Sequence, residues 1–209
     1  SDLLNKTCEV KKIDSDFFGC PYYIIDNFYK YPELVEDFVT REPAKLFEGD
    51  DRQYFPTEKN YNGDKFFDGR HKHYVADIDE NIRGFISSII NKEMYDEPNT
   101  FQTNIHKFYD KEFNDYKNNY WFPHLDDGWT ALVYLNKDGD AGTNLYSYKG
   151  QSKVIVNDED RPFNPMQSEH GNPWLPKEDW EVIHTLEGVY NRCIIFNGRI
   201  YHGMAVEDD

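Results

Sequence analysis

Residues 191–203 read NRCIIFNGRIYHG, which is an apolar run, a turn that contains glycine, and then a histidine. Isoleucine and phenylalanine are enriched in β strands, so this pattern predicts a strand over residues 192–196. Glycine at position 198 is typical of a tight turn. A strand that ends in such a turn presents His202 at the mouth of a barrel, where a ligand can reach it.

A second histidine lies upstream in the segment WFPHLD, residues 121–126. Side chains two residues apart in an extended chain point the same way, so His124 and Asp126 can converge on one metal ion. Pro123 lacks a backbone donor and suits an irregular edge before a strand. Alone the pair is weak evidence, because this composition produces such pairs by chance and an exposed loop pair is the better explanation. Together with His202 it gives two imidazoles and one carboxylate, which leave metal positions open and suit non-haem Fe(II) oxygenases.

The chain from about 100 to 206 resembles the 2-oxoglutarate- and Fe(II)-dependent dioxygenases, in particular their prolyl-hydroxylase-like branch. The resemblance rests on the order and spacing of four stretches, which are HLD at 124–126, ALVYLNKD at 131–138, AGTNLY at 141–146, and 192–204. It implies a double-stranded β-helix, or jelly-roll. It also implies Fe(II) held by His124, Asp126 and His202, and a hydrogen bond from Tyr134 to the distal carboxylate of 2-oxoglutarate.

The same resemblance implies an enzyme that uses 2-oxoglutarate and O2 to hydroxylate a substrate, with succinate and CO2 as co-products. Halogenating relatives carry a small residue at the carboxylate position, so Asp126 favours hydroxylation. The branch favours a prolyl or other peptidyl side chain as the substrate. A free amino acid or another small metabolite stays open.

One departure from the family concerns the basic residue that pairs with the distal carboxylate of 2-oxoglutarate. Relatives place an Arg or Lys about ten residues after the distal histidine, where a guanidinium can bind a carboxylate with two hydrogen bonds. This chain stops at Asp209, seven residues past His202. We expect the last barrel strand to lie beyond residue 209. The alternative cations within the sequence are Arg199 and Arg192, and the family more often gives the position of Arg192 a structural role.

The expected organisation is a single oxygenase domain over residues 1–209, α+β in class and mainly β. Residues 1–98 are expected to form an α/β support region whose helices cover one sheet of the jelly-roll core at 99–209. Residues 149–180 contain four prolines and little periodicity, so we expect a long surface insertion there, a candidate lid.

Hydrophobic periodicity predicts the individual elements. A helix is expected to start near Pro32, and a second helix spans about 78–92, with Asp77 and Glu80 as a capping box. Residues 48–73 are polar and are expected to form a loop with at most one strand. The predicted strands are 21–28, 100–109, 129–136, 143–148, 181–186 and 192–196.

The net charge and the number of cysteines indicate which partners and which cell compartment are expected. The formal net charge is -16, which argues against a nucleic-acid backbone as partner. No run approaches the roughly 20 apolar residues of a membrane helix. Three widely spaced cysteines fit a reducing cytosol, so we expect a cytoplasmic protein without disulfides.

Two rival functions share the fold class. One is a non-catalytic, cupin-like binding module, and the other is a metal oxygenase that needs no oxo acid. His71 and His73 are expected at the surface and His106 in packing, whereas His170 and His184 belong to no motif. The four tryptophans are as compatible with buried packing as with substrate stacking.

Overall fold

The computed structural model describes residues 4–15, 18–40, 53–55, 58–59, 65–66, 69–73, 76–90, 103–107, 117–137, 142–162 and 174–206. Side chains are described in these ranges except at 37–40, 53–81 and 103–107. The described elements are mainly antiparallel β strands with two α-helices, which is an α+β class with β predominating.

The strands are β1 (Val10–Ile13), β2 (Tyr22–Ile25), β3 (Gln53–Phe55), β4 (Glu58–Lys59), β5 (Lys65–Phe66), β6 (Gly69–His73), β7 (Thr103–Lys107), β8 (Asn119–Trp121), β9 (Trp129–Val133), β10 (Thr143–Tyr148), β11 (Trp174–Pro176), β12 (Trp180–Leu186), β13 (Cys193–Asn197) and β14 (Tyr201–Met204). The helices are α1 (Pro32–Thr40) and α2 (Ala76–Ile90), with short 3₁₀ turns at Asp158–Asp160 and Lys177–Asp179.

The chain forms two compact units. One comprises Ser1–Thr7, Tyr29–Thr57 and Phe66–Glu112, and the other comprises Cys8–Phe28, Glu58–Lys65 and Phe113–Asp209. The first unit contains the antiparallel sheet β3-β6-β7, and α1 lies against β7. In α2, Ile82 and Ile86 are four residues apart and both are buried, as the helical spacing of its apolar residues predicts.

The second unit contains a four-stranded sheet, β1-β2-β13-β9, and a three-stranded sheet, β12-β10-β14. Both sheets contribute to one buried apolar cluster: Leu145 and Leu186 come from the three-stranded sheet, and Ile194 and Phe196 come from β13. Leu145 lies directly opposite His202 in the β10–β14 register, so the side chains of both point to the same face. The inner face of the three-stranded sheet therefore carries a histidine beside the core.

Strand β8 forms a separate two-stranded sheet with β11. It pairs with β11 in register Trp174 to Trp121, and the two indole rings lie 5.1 Å apart in a T-shaped contact. Three of the four tryptophans (Trp121, Trp174 and Trp180) are buried, so their role includes core packing.

Several element predictions are confirmed, and two are corrected. The strand at 143–148 has the predicted bounds, and β12 and β13 begin within one residue of the predicted positions. The loop expected over 48–73 instead contains β3, β4, β5 and β6, because strands of two to five residues are too short to show an apolar period and depend on pairing with their partners. Helix α2 begins at Ala76, so Asp77 lies inside its first turn.

The segment expected as a surface insertion is partly buried where it is described. Val156 is 1% exposed and Trp174 is 2% exposed, since both are apolar and pack into the second unit. Val156 and Arg199 exchange two hydrogen bonds: the Val156 N–H donates to the Arg199 carbonyl at 2.9 Å, and Arg199 Nε donates to the Val156 carbonyl at 2.7 Å. Residues 163–173 lie outside the described part, so the lid stays a prediction.

All three cysteines are free thiols, as their spacing predicts. Among the described residues, neither helix combines the length and the apolar character that crossing a membrane requires.

Candidate metal centre

A backbone bridge places His124 directly beside His202. His124 follows β8, and His202 lies in β14. The N–H of each donates to the carbonyl of the other at 2.9 Å, which makes an isolated antiparallel bridge. Residues that exchange both bonds in this way project their side chains to the same side of the ladder. The imidazole centroids are accordingly only 4.3 Å apart.

Each imidazole is held through its Nδ1 atom by a backbone carbonyl two residues earlier in the chain. The partner of His124 is the Phe122 carbonyl, and the partner of His202 is the Ile200 carbonyl, each at 2.7 Å. A carbonyl can only accept, so Nδ1 carries a proton in both rings. In the neutral ring this leaves the lone pair on Nε2, which is the arrangement that second-shell partners impose on metal-binding histidines.

Asp126 completes the group. Its backbone N–H donates to the Gly198 carbonyl at 2.8 Å, which fixes the residue beside the turn between β13 and β14. One carboxylate oxygen, Oδ2, lies 3.0 Å from His202 Nε2 and accepts from Thr130 Oγ1 at 2.8 Å. The other oxygen, Oδ1, lies 3.7 Å from His124 Nε2.

The electrostatics of the group favour a positive charge at its centre. Burial raises the pKa of the Asp126 carboxyl, but hydrogen bonds and charge from the two histidines and Thr130 outweigh burial and lower its pKa. If His202 is neutral and its proton is on Nδ1, the lone pair of Nε2 faces a carboxylate oxygen of Asp126 at 3.0 Å. Two acceptors at that distance require a proton or a metal cation between them.

The donor atoms fit a metal ion. The ligand atoms of His124, Asp126 and His202 all lie within 4.8 Å of one another. Two ligands about 2.1 Å from one ion and at right angles are about 3 Å apart, which is close to the Asp126–His202 separation. Two imidazole nitrogens and one carboxylate on one side of an ion leave its other positions open.

The three side chains of the group differ in their exposure to solvent. The side chain of His202 is 4% exposed, that of His124 is 24% exposed and that of Asp126 is 43% exposed. A phenylalanine ring lies against each imidazole: Phe196 contacts His202 edge-on, and Phe122 lies beside His124, both with centroids 4.9 Å apart. The site is therefore anchored in the core at His202 and opens to solvent at Asp126.

Tyr134 lies in the same unit and packs against the buried cluster between the two sheets. Its hydroxyl is 2.5 Å from Thr143 Oγ1, and Thr143 is itself buried. Burial raises the pKa of Tyr134 to about 12, so the phenol keeps its proton at neutral pH and can donate it. Its predicted role toward a co-substrate carboxylate stays a prediction.

The two arginines proposed as co-substrate partners are each engaged by carboxylates. Arg192 donates to both oxygens of Asp26 at 2.7 and 3.2 Å and lowers the pKa of that carboxyl. Arg199 donates to Asp127 at 3.1 Å and to Asp158 at 2.9 Å. The role of either arginine toward a co-substrate stays a prediction.

Arg199 also lines an open depression of about 590 Å³ beside the turn that holds Asp126. The other lining residues are Asp127, Gly128, Asn157, Asp158 and Glu159.

The remaining histidine predictions have mixed outcomes. His184 lies in an aromatic group with Phe18 and Tyr22, at 5.8 and 6.0 Å between ring centroids, which no sequence motif indicated. The side chains of His71, His73 and His106, and the whole of His170, lie outside the described residues.

The sequence analysis missed two residues that contact the metal group, Thr130 and Phe122. Thr130 lies on the same face of the predicted strand at 129–136 as Tyr134, so the strand period could have indicated it. No sequence signal indicated the role of Phe122, which depends on its backbone conformation.

Fold and site together define a mainly β protein with a two-histidine, one-carboxylate candidate metal centre. The chain belongs to the family described as "Family of unknown function (DUF6445)", which matches residues 7–209. No curated protein matches the chain, and no solved structure matches it.

Proposed function

We propose that the protein is a 2-oxoglutarate- and Fe(II)-dependent oxygenase that hydroxylates a prolyl or other peptidyl side chain, or a small metabolite. The observation that carries the proposal is the convergence of His124, Asp126 and His202, with both imidazoles held at Nδ1 so that Nε2 faces the carboxylate. This ligand set is the one that suits non-haem Fe(II) oxygenases.

The strand order supports a jelly-roll as the fold of the second unit. Along the chain, β9 lies in the four-stranded sheet, β10 and β12 lie in the three-stranded sheet, β13 returns to the first, and β14 returns to the second. The His124–His202 bridge sets the segment after β8 beside β14. Strands that pass repeatedly between two packed antiparallel sheets are the pattern of a jelly-roll.

His124, Asp126 and His202 are the residues that would hold the iron. When bound, Fe(II) supplies open coordination positions for 2-oxoglutarate and O2, and so couples oxidation of the co-substrate to succinate and CO2 with hydroxylation of the substrate. Thr130 orients the carboxylate through Oδ2, and the carbonyls at 122 and 200 orient the imidazoles. These contacts fix the ligands before the metal arrives, so less ordering is needed on binding.

Tyr134 would contribute a hydrogen bond to the distal carboxylate of the co-substrate. If the Thr143 hydroxyl donates to the phenol oxygen, the phenol proton is available to a second acceptor. The cationic partner of that carboxylate would be Arg199 or Arg192. Each of the two arginines would first have to exchange a carboxylate partner that it has in the structure.

The test is succinate release from 2-oxoglutarate in air, with Fe(II) and a pool of proline-containing peptides. The wild type and a His184→Ala control should both release succinate, whereas Asp126→Ala should release none. His184 is a matched control because it is a histidine of the same unit outside the metal group. Full turnover by Asp126→Ala would overturn the proposal, and oxygen uptake without 2-oxoglutarate would favour an oxygenase that needs no oxo acid.

A further inference from the structure

Phe122 has an unusual backbone conformation next to the metal group. Its φ is 45°, in the left-handed region, and it directly precedes Pro123. Among the described residues, the other non-glycine positions with positive φ are Asn27 and Asn191. Asparagine tolerates this region, whereas a bulky residue is strongly disfavoured there. The surrounding structure must therefore hold Phe122 in place.

The conformation places two contacts on His124. The Phe122 carbonyl accepts the Nδ1 proton at 2.7 Å, and the Phe122 ring lies 4.9 Å from the imidazole at an interplanar angle of 33°. The carbonyl selects the tautomer, and the tilted phenylalanine ring beside it restricts rotation of the imidazole. Phe122 thus determines both which nitrogen of His124 carries the lone pair and how the imidazole plane is oriented.

Strand β14 passes close to the backbone carbonyls of Trp121 and Phe122. A Cβ added at Gly203 would collide with the Trp121 carbonyl and would lie 3.1 Å from the Phe122 carbonyl oxygen. Gly203 directly follows the ligand His202, so the absence of a side chain there keeps space for the group that holds the other ligand.

The two ligands differ in how they are held. His202 is buried, and its two corresponding contacts come from different residues, the Ile200 carbonyl and the Phe196 ring. His124 has a side chain that is 24% exposed and receives both contacts from Phe122. Phe122 therefore supplies two contacts that orient the more exposed ligand.

We propose that Phe122 is a positioning residue that fixes His124 for metal binding, and that its left-handed backbone serves this purpose. The proposal rests on the proposed function only in requiring a divalent metal at the group of His124, Asp126 and His202. It does not depend on 2-oxoglutarate or on the hydroxylation reaction.

Three substitutions separate the two contacts. Phe122→Tyr keeps the ring and the backbone, and Phe122→Gly keeps the left-handed backbone but removes the ring. Phe122→Val removes the ring and disfavours the backbone, because β-branched residues avoid positive φ. Asn27→Ala is the control for strain, since it places an ordinary side chain at an exposed left-handed position outside the metal group.

The probe is Co(II), titrated into the full chain without 2-oxoglutarate. Wild type, Phe122→Tyr and Asn27→Ala should bind with equal affinity. Phe122→Gly should bind more weakly, and Phe122→Val should lose about 10–100-fold in affinity, as changes to second-shell partners commonly do. Two exchangeable, hyperfine-shifted Nδ1–H proton resonances are expected in the wild type, and the one from His124 should exchange faster in Phe122→Val.

The outcomes are distinct. Phe122→Gly and Phe122→Val that bind Co(II) like the wild type, with both shifted protons retained, would overturn the positioning role and leave the metal site intact. No Co(II) binding by the wild type would overturn the metal centre and the proposed function with it. If Phe122→Val unfolds, Phe122→Gly still decides, because wild-type affinity and spectrum in that variant would contradict the contribution of the ring.

Discussion

Gly198 lies so close to Asp126 that a Cβ added to the glycine would be 2.8 Å from the Asp126 Cβ. The same added atom would be 2.5 Å from the Gly128 carbonyl oxygen and 2.6 Å from Thr130 Oγ1. Gly198 N–H also donates to the Gly128 carbonyl at 2.7 Å, so the two backbones cannot separate without breaking that bond. The turn between β13 and β14 therefore fixes the carboxylate of the candidate metal centre by contact.

Gly198→Ala should lower both stability and metal affinity. Forcing a methyl group into this contact costs about 1–3 kcal/mol and displaces Asp126 or Thr130. Urea unfolding and Mn(II) titration measure the two effects. The control is Gly84→Ala in α2, where nothing lies within 4 Å of the added Cβ and a gain of about 0.5–1 kcal/mol is expected. Unchanged Mn(II) affinity in Gly198→Ala would contradict the contact.

Thr143→Val should destabilise the protein through Tyr134. The substitution removes the partner of a buried phenol, which costs about 1 kcal/mol, and it takes away a bond that lowers the pKa of that phenol. A double-mutant cycle with Tyr134→Phe isolates the pair, because Thr143→Val should cost less when the phenol hydroxyl is already absent. An equal loss in both backgrounds would show that the two hydroxyls are not coupled.

Asp26→Asn should destabilise the protein at neutral pH and have little effect in acid. The hydrogen bond and charge of Arg192 lower the pKa of Asp26 in the folded state. A carboxyl with a lowered folded pKa stabilises the fold above its unfolded pKa of about 4, and this contribution is lost as pH falls below that value.

The difference in melting temperature between wild type and Asp26→Asn should therefore be present at pH 7 and shrink below about pH 4. Asp14→Asn is the control, because Asp14 is 81% exposed and its pair with Lys12 spans 3.7 Å. A difference for Asp26→Asn that persists unchanged into acid would show that its charge is not the cause.

The parts of the fold that were predictable from sequence are those with strong local patterns. The alternation in TNLYSY predicted β10 over 143–148, and the apolar run before Gly198 predicted β13 to within one residue. The HLD motif and the distal histidine also predicted the group of three residues whose ligand atoms converge in the structure.

The parts that were missed depend on tertiary pairing or on backbone dihedrals. Strands β3 to β6 have only two to five residues, so only their pairing partners indicate them. The positive φ of Phe122 follows from constraints imposed by its neighbours, which the order of residues does not reveal. Val156 and Trp174 are buried although they lie in a proline-rich segment, because they make tertiary contacts that local sequence does not indicate.

The most direct test of the oxygenase proposal is an anaerobic titration of the protein with Fe(II) and 2-oxoglutarate, followed by visible absorption. A weak charge-transfer band is expected in the wild type and in His184→Ala, and it should be absent in His202→Ala. The His202 variant loses the proposed ligand whose imidazole is buried and held by the Ile200 carbonyl. No band in the wild type, or the same band in His202→Ala, would contradict binding of Fe(II) and 2-oxoglutarate at this site.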